Sequence, residues 1–102
     1  MKLRVLQQAE WEARDAAVWY EDRVQGLGAA FIDQLEHGLE RIEEDPKRFG
    51  RLETFVGSRD IRRLLLRRFP YLVAYEIIAD EVMVLAVAHV SRCPSYWIDR
   101  NE

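Results

Sequence analysis

The stretch Ile61-Arg-Arg-Leu-Leu-Leu-Arg-Arg-Phe-Pro-Tyr-Leu-Val-Ala-Tyr75, followed by Asp80-Glu81 and Val82-Met-Val-Leu-Ala-Val-Ala-His89, decides how this chain folds. It reads as an arginine-studded strand turning into two hydrophobic strands. Successive side chains of a strand point to opposite faces. Arg63, Leu65 and Arg67 are therefore expected on one face, and Leu64 and Leu66 on the other, with Arg62 and Arg68 at its two ends. Apolar residues behind and guanidinium groups in front suit an anion-binding surface, because planar guanidinium matches phosphate and carboxylate geometry.

The strands are expected at roughly 60–68, 70–78 and 82–90. The connections at Phe69-Pro70 and Ala79-Asp80-Glu81 are short, and short connections force antiparallel neighbours. Val82 to Val90 is almost uniformly apolar, which predicts a central strand buried on both faces.

Upstream, Lys2 to Leu6 sets Leu3 and Val5 against Lys2 and Arg4 and reads as a short strand. From Ala9 the period changes. Ala9, Ala13, Ala16, Ala17, Tyr20 and Val24 fall on one helix face. The alanines allow close approach to a neighbour, and Glu10 and Glu12 are placed in the first turn, where the helix dipole favours acids. Gly26 suits a left-handed stop. A second helix is expected from about Gly28, with Phe31, Leu35, Leu39 and Ile42 as its apolar stripe and Ile32 widening it. Asp45-Pro46 ends it, because the residue before proline is pushed out of the helical region. The short link between the helices implies an antiparallel hairpin. Residues 46–58, with Gly50, Gly57 and Ser58, read as a loop. The order is β-α-α-β-β-β, an α+β fold. An antiparallel sheet carries the helical hairpin on one face. The other face is expected to be partly open and to carry Arg63 and Arg67.

The chain of 102 residues suggests a single domain over 1–102. No apolar run approaches the ~20 residues of a membrane span, so no membrane partner is expected. The start, Met1-Lys-Leu-Arg-Val-Leu, is too short and too charged for a secretory signal. One cysteine, Cys93, cannot form an internal disulfide, and a cytoplasmic location is the simplest expectation. One Cys and two widely spaced His give no zinc ligand set, and no cofactor is expected. The net charge of −3 hides an asymmetry. Residues 1–57 hold 8 basic and 12 acidic residues (8 − 12 = −4), whereas residues 58–102 hold 7 and 6 (7 − 6 = +1). Within 58–68 five arginines stand against Asp60. Such a chain lacks the broad basicity of a general nucleic-acid binder and offers a focused patch instead.

With these elements in this order, the chain resembles the RelE/ParE superfamily, the toxin halves of bacterial type II toxin–antitoxin pairs. The resemblance rests on Ala17-Val-Trp-Tyr-Glu21, Gly26-Leu-Gly28, Asp45-Pro46, Ile61-Arg-Arg63, Arg68-Phe-Pro-Tyr71 with Tyr75, and His89-x-x-Arg92-x-Pro94-x-Tyr96-Trp97. It implies a growth-arresting toxin held in check by a cognate antitoxin protein. RelE-like members cut mRNA at the ribosome; ParE-like members inhibit DNA gyrase without chemistry of their own. By resemblance to the nucleases, Arg63 matches a catalytic basic position, Arg92 a phosphate-stabilising arginine and Tyr96 the tyrosine near the C-terminus. Leu65 and Leu72 depart from that pattern, standing where a lysine and an arginine are expected.

RNA cleavage by the 2′-hydroxyl needs a base, an acid and cations for the developing charge. Arg63, Arg67 and Arg92 are candidates for the charge, and His89 or Tyr96 for the proton transfers. Plainer roles stand beside these. Arginines on an edge strand guard against sheet-to-sheet aggregation. His89 ends an apolar strand and is equally readable as structural. Tyr96 and Trp97 are readable as a hydrophobic lid, and Tyr71 and Tyr75 as core or rim. A non-toxic module of the same fold, holding an acidic peptide on its arginines, is the alternative function.

Overall fold

The computed structural model describes residues 1–52 and 58–100. The elements run β1 (Lys2–Val5), α1 (Gln7–Arg23), α2 (Leu27–Glu44), a 3-10 turn (Pro46–Arg48), β2 (Asp60–Leu65), β3 (Tyr71–Ile78), β4 (Glu81–His89) and a second 3-10 turn (Pro94–Tyr96). This is the expected α+β order. Gly57 of the expected loop lies outside the described residues.

β2, β3 and β4 form the antiparallel meander that their short connections require. β1 joins on the far side of β4, and it runs parallel to it, with Leu3 opposite Val82 and Val5 opposite Val84. The sheet order is β1-β4-β3-β2, so the sheet is mixed rather than wholly antiparallel. Parallel pairing is open to β1 because the helical hairpin and two strands intervene before β4 returns beside it. Inside that order β4 is central, and Val82 to Ala88 are all buried.

The helical hairpin covers one face. Ala9, Ala13 and Ala16 of α1 and Phe31, Leu35 and Ile42 of α2 pack on Leu64, Val73, Tyr75, Val82, Val84 and Val87. The alanine stripe stops short of its expected end, since α1 finishes at Arg23 and Val24 is exposed. Glu10 is in the first turn, but Glu12 lies one turn further on. Gly26 takes φ 87°, the left-handed conformation that glycine adopts without penalty. The Glu21 carboxylate accepts from the Gly26 and Gly28 N–H groups at 2.9 and 3.0 Å. An acid thus sits at the start of α2, where the orphan N–H groups and the dipole both favour it.

The second face is more fully covered than expected, with Arg63 and Leu65 left exposed at its β2 edge. Trp97, 2% exposed, packs there with Leu6, Ile61, Leu72, Ala74, Met83, Leu85, Ala86 and Ala88, and Leu52, Tyr96 and Ile98 close the edge. The physical reason lies in the sheet. Three alanines on β3 and β4 leave a trough wide enough for an indole, and leaving so much apolar surface wet is costly. A bulge between Ala74 and Tyr75 shifts the β3–β4 register, so Ala74 faces Ala86 while Tyr75 faces Val84. Leu85 is the extra residue, and both Leu85 and Ala86 join the second core.

β2 also ends earlier than expected, at Leu65. Arg63 stays on the second face by alternation with Ile61. Beyond Leu65 the chain turns, and Arg67 comes to line a groove on the helix side with Leu64 and Leu66. Arg63 and Arg67 therefore do not share a face.

Candidate functional site

Of the five arginines between 59 and 68, two are occupied in holding the fold. Arg59 grips Glu76 through Nε and Nη2 (3.0 and 2.8 Å) and donates to the Ile98 carbonyl at 2.6 Å. Arg62 pairs with Asp60 at 2.9 Å and donates to the Lys47 and Phe49 carbonyls at 2.7 and 2.8 Å. Arg63, Arg67 and Arg68 are left exposed.

A cleft of about 730 Å³ opens between α1, the start of β3, the end of β4 and the segment after it. Glu12, Ala16 and Trp19 come from one face of α1, at i, i+4 and i+7. Tyr71 and His89 come from paired positions of β3 and β4. Arg92 and Tyr96 come from the following segment. The cleft thus gathers three of the five expected site residues, His89, Arg92 and Tyr96. Arg63 lies on the second face and Arg67 in a separate groove.

Charge and ring geometry fix the inner wall. The Arg92 guanidinium carbon lies 4.4 Å from the centre of the Tyr96 ring, and that of Arg100 lies 5.2 Å from it. Arg100 donates to both Glu12 oxygens and, at 3.0 Å, to the Leu85 carbonyl. Glu12 Oε1 also accepts from the Val87 N–H at 3.1 Å. Val87 follows the bulge, so the carboxylate serves a backbone donor next to the irregular stretch of the sheet.

The proton-transfer candidates are constrained. Burial, reinforced by the charge and hydrogen bond of Glu12, pushes the Tyr96 hydroxyl up to about 12. At neutral pH Tyr96 keeps its proton. His89 Nδ1 accepts from the Ser91 N–H at 3.1 Å and lies 2.8 Å from Ser91 Oγ. A nitrogen that accepts a backbone N–H carries the lone pair, so in the neutral ring the proton sits on Nε2. The His89 ring meets Tyr71 edge-on, with centroids 5.4 Å apart.

The outer wall is aromatic and accessible. Trp19 is 51% exposed, and Arg23 stacks on its ring at 3.4 Å. Tyr20 extends the wall inward through ring contacts with Phe31, Phe69 and Tyr71. Glu12 and Arg100 are not singled out by the sequence; Trp19, flanking the alanine stripe, is readable there as a cover for the hairpin or a surface for a partner. The helical spacing of Glu12, Ala16 and Trp19 was the available signal; nothing local announces Arg100. Among the described residues no three metal-ligating side chains come together, and no helix is long and apolar enough to cross a membrane.

Comparison with known proteins gives two positive findings. Residues 3–94 match the family model described as the ParE toxin of the type II toxin–antitoxin system parDE. Eight chains of solved structures match. Among them is a chain of the chromosomal ParDE system from P. aeruginosa, with TM-score 0.71 and 17% identity, covering 87% of this chain and 95% of its own. That likeness shows the fold. A search of the curated proteins finds no significant match.

Proposed function

The chain belongs to the ParE toxin family of type II toxin–antitoxin systems, and on that premise we propose that it arrests growth in the cytoplasm by binding DNA gyrase, without cutting RNA, until a cognate antitoxin neutralises it. The observation that carries this reading is the dispersal of the expected nuclease set. Arg63, Arg67 and Arg92 stand in three different places. Beside Arg92, Tyr96 holds its proton and so is no base at neutral pH, and Ser91 occupies Nδ1 of His89; neither group has a β2 arginine beside it in the cleft. General acid–base catalysis needs a group near the working pH within reach of the reacting atoms. Protein binding needs no such group. An exposed Trp beside an Arg-capped Tyr is the composition that anchors protein interfaces.

The test is gyrase supercoiling with purified components, run beside RNA end-mapping on translating ribosomes. The wild type is expected to inhibit supercoiling, and Trp19→Ala and Arg92→Glu to weaken that inhibition at least tenfold. Unimpaired gyrase together with in-frame mRNA cuts would move the reading to the ribosome.

A further inference from the structure

Helix α1 buries its small residues and exposes its large ones. The side turned to the sheet carries Ala9, Ala13 and Ala16, while Trp11, Val18 and Trp19 are each more than half exposed. Large apolar groups on an outer face, rimmed by polar ones, mark a place where another surface packs. Trp19 lines the cleft and already has company: the Arg23 guanidinium stacks on its ring at 3.4 Å and donates to its carbonyl. Among the described residues, no ring and no cation stacks on Trp11. Down the side opposite the alanines, at helical spacing, run Gln7, Trp11, Arg14, Asp15, Val18 and Asp22, all exposed.

The order of charges along this stripe says what covers it. Arg14 and Asp15 are adjacent at its middle, and among the described residues neither forms an ion pair. A face with a cation just before an anion is its own complement when a copy runs antiparallel about the point midway between them. Positions 11 and 18 are equally far from that point, as are 7 and 22. We propose that two copies of this chain associate through the outer faces of α1, antiparallel about a two-fold axis between Arg14 and Asp15. Arg14 of each copy then faces Asp15 of the other, Trp11 of each lies on Val18 of the other, and Gln7 reaches Asp22. The step from Trp11 to Val18 is two helical turns, about 10.5 Å, so both indoles seat in one pass of two helices crossing at roughly 20°. A partner of a single charge sign fits worse, because it sets a like charge against either Arg14 or Asp15. The ion pairs orient the copies, and the apolar contacts hold them. One helix face is smaller than the ~800 Å² per partner of a standard interface, so the dimer is weak, with Kd on the order of 100 μM. The proposal does not depend on the target proposed above.

Sedimentation equilibrium of the full chain tests this, in reducing buffer so that the exposed Cys93 cannot link copies. Between about 10 and 500 μM the wild type should pass reversibly from monomer to dimer. Trp11→Ala should weaken association at least tenfold, whereas Glu40→Lys on exposed α2 should leave it unchanged. Arg14→Asp and Asp15→Arg should each fail to self-associate, since like charges then meet across the axis. An equimolar mixture of those two variants should dimerise, and the double variant Arg14→Asp with Asp15→Arg should regain the wild-type constant. Circular dichroism checks that each variant is folded, and the double variant, which keeps both charges, carries the test if a single reversal unfolds. A monomer throughout that range, a dimer indifferent to Trp11, self-association of both single reversals, or no recovery in the mixture and the double variant would each overturn the proposal.

Discussion

Arg100 and Glu12, 88 residues apart, share two hydrogen bonds, Nη1 to Oε1 at 2.9 Å and Nη2 to Oε2 at 3.2 Å. The pair joins the first helix to the segment beyond the last strand. Both side chains are mostly shielded, so removing one leaves the other short of a partner. Glu12→Ala is expected to cost about 2 kcal/mol in urea unfolding, although alanine is the better helix former. Arg100→Ala should cost a similar amount. The double variant should fall short of the sum by about 1 kcal/mol, the sign of direct coupling. Strict additivity would show that the two act separately.

Trp97 should report on the second core. It is 2% exposed, whereas Trp11 and Trp19 are each 51% exposed. Acrylamide should quench two tryptophans readily and spare a blue-shifted third, and Trp97→Phe should remove that third signal. Trp97→Ala empties the alanine trough and is expected to cost about 3–5 kcal/mol. A loss under 1 kcal/mol in chemical denaturation would mean that the segment after β4 adds little to the fold.

Alkaline pH should destabilise the protein through its tyrosines. Burial pushes Tyr75 up to about 12, and its hydroxyl donates to the Pro46 carbonyl at 2.6 Å. Tyr96 is pushed to about 12 by burial and Glu12. Unfolded tyrosine ionises near 10, so between 10 and 12 the folded chain binds more protons than the unfolded one. Stability is then full below about pH 10 and is lost as pH rises through 12, on the order of 2 kcal/mol for Tyr75 alone. Absorbance at 295 nm during base titration should show ionisation arriving together with the loss of helical circular dichroism. Smooth ionisation near 10 with the fold intact would contradict this.

The β3–β4 turn holds a local strain. Ile78 pairs with Glu81, so Ala79 and Asp80 alone make the connection, and Ala79 sits at φ 54°. Left-handed backbone is where glycine or asparagine normally stands, and a Cβ there costs roughly 1 kcal/mol. Ala79→Asn is expected to stabilise by about 0.5 kcal/mol, and Ala79→Val to destabilise by about 1 kcal/mol or more. Thermal unfolding of the two variants should move in opposite directions.

Some of this was open to a reader of the chain, and the limits are physical. The meander and its central strand follow from an unbroken apolar run and two tight connections, both local signals. The partner of β1 is not local. Leu3 and Val5 announce a strand, but only the assembled sheet decides that it lies parallel beside β4. Alternation placed Arg63 correctly on the face of Ile61. It failed for Arg67 because the strand stops at Leu65, and it cannot see the bulge that puts Leu85 and Ala86 on one side. The second face is expected to be partly open, and the cover that Trp97 gives it is not foreseen, because Trp97 lies beyond the strands, where periodicity no longer predicts contacts. The arginine patch was read as one surface. The hydrogen bonds of Arg59 and Arg62 show that part of it is internal scaffolding.

The parallel pairing of β1 with β4 has a consequence for synthesis. β1 leaves the ribosome well before β4 and can be seated only after β4 has been made, because Lys2 to Val5 find their register on Glu81 to Val84. Translation at roughly 5–20 residues per second separates the two events by several seconds. A chain broken off before that point lacks the middle of its sheet and leaves β1 with nothing to dock on. The sheet therefore closes only once β4 has been made, and a copy stopped before it cannot display the cleft that His89, Arg92 and Tyr96 complete.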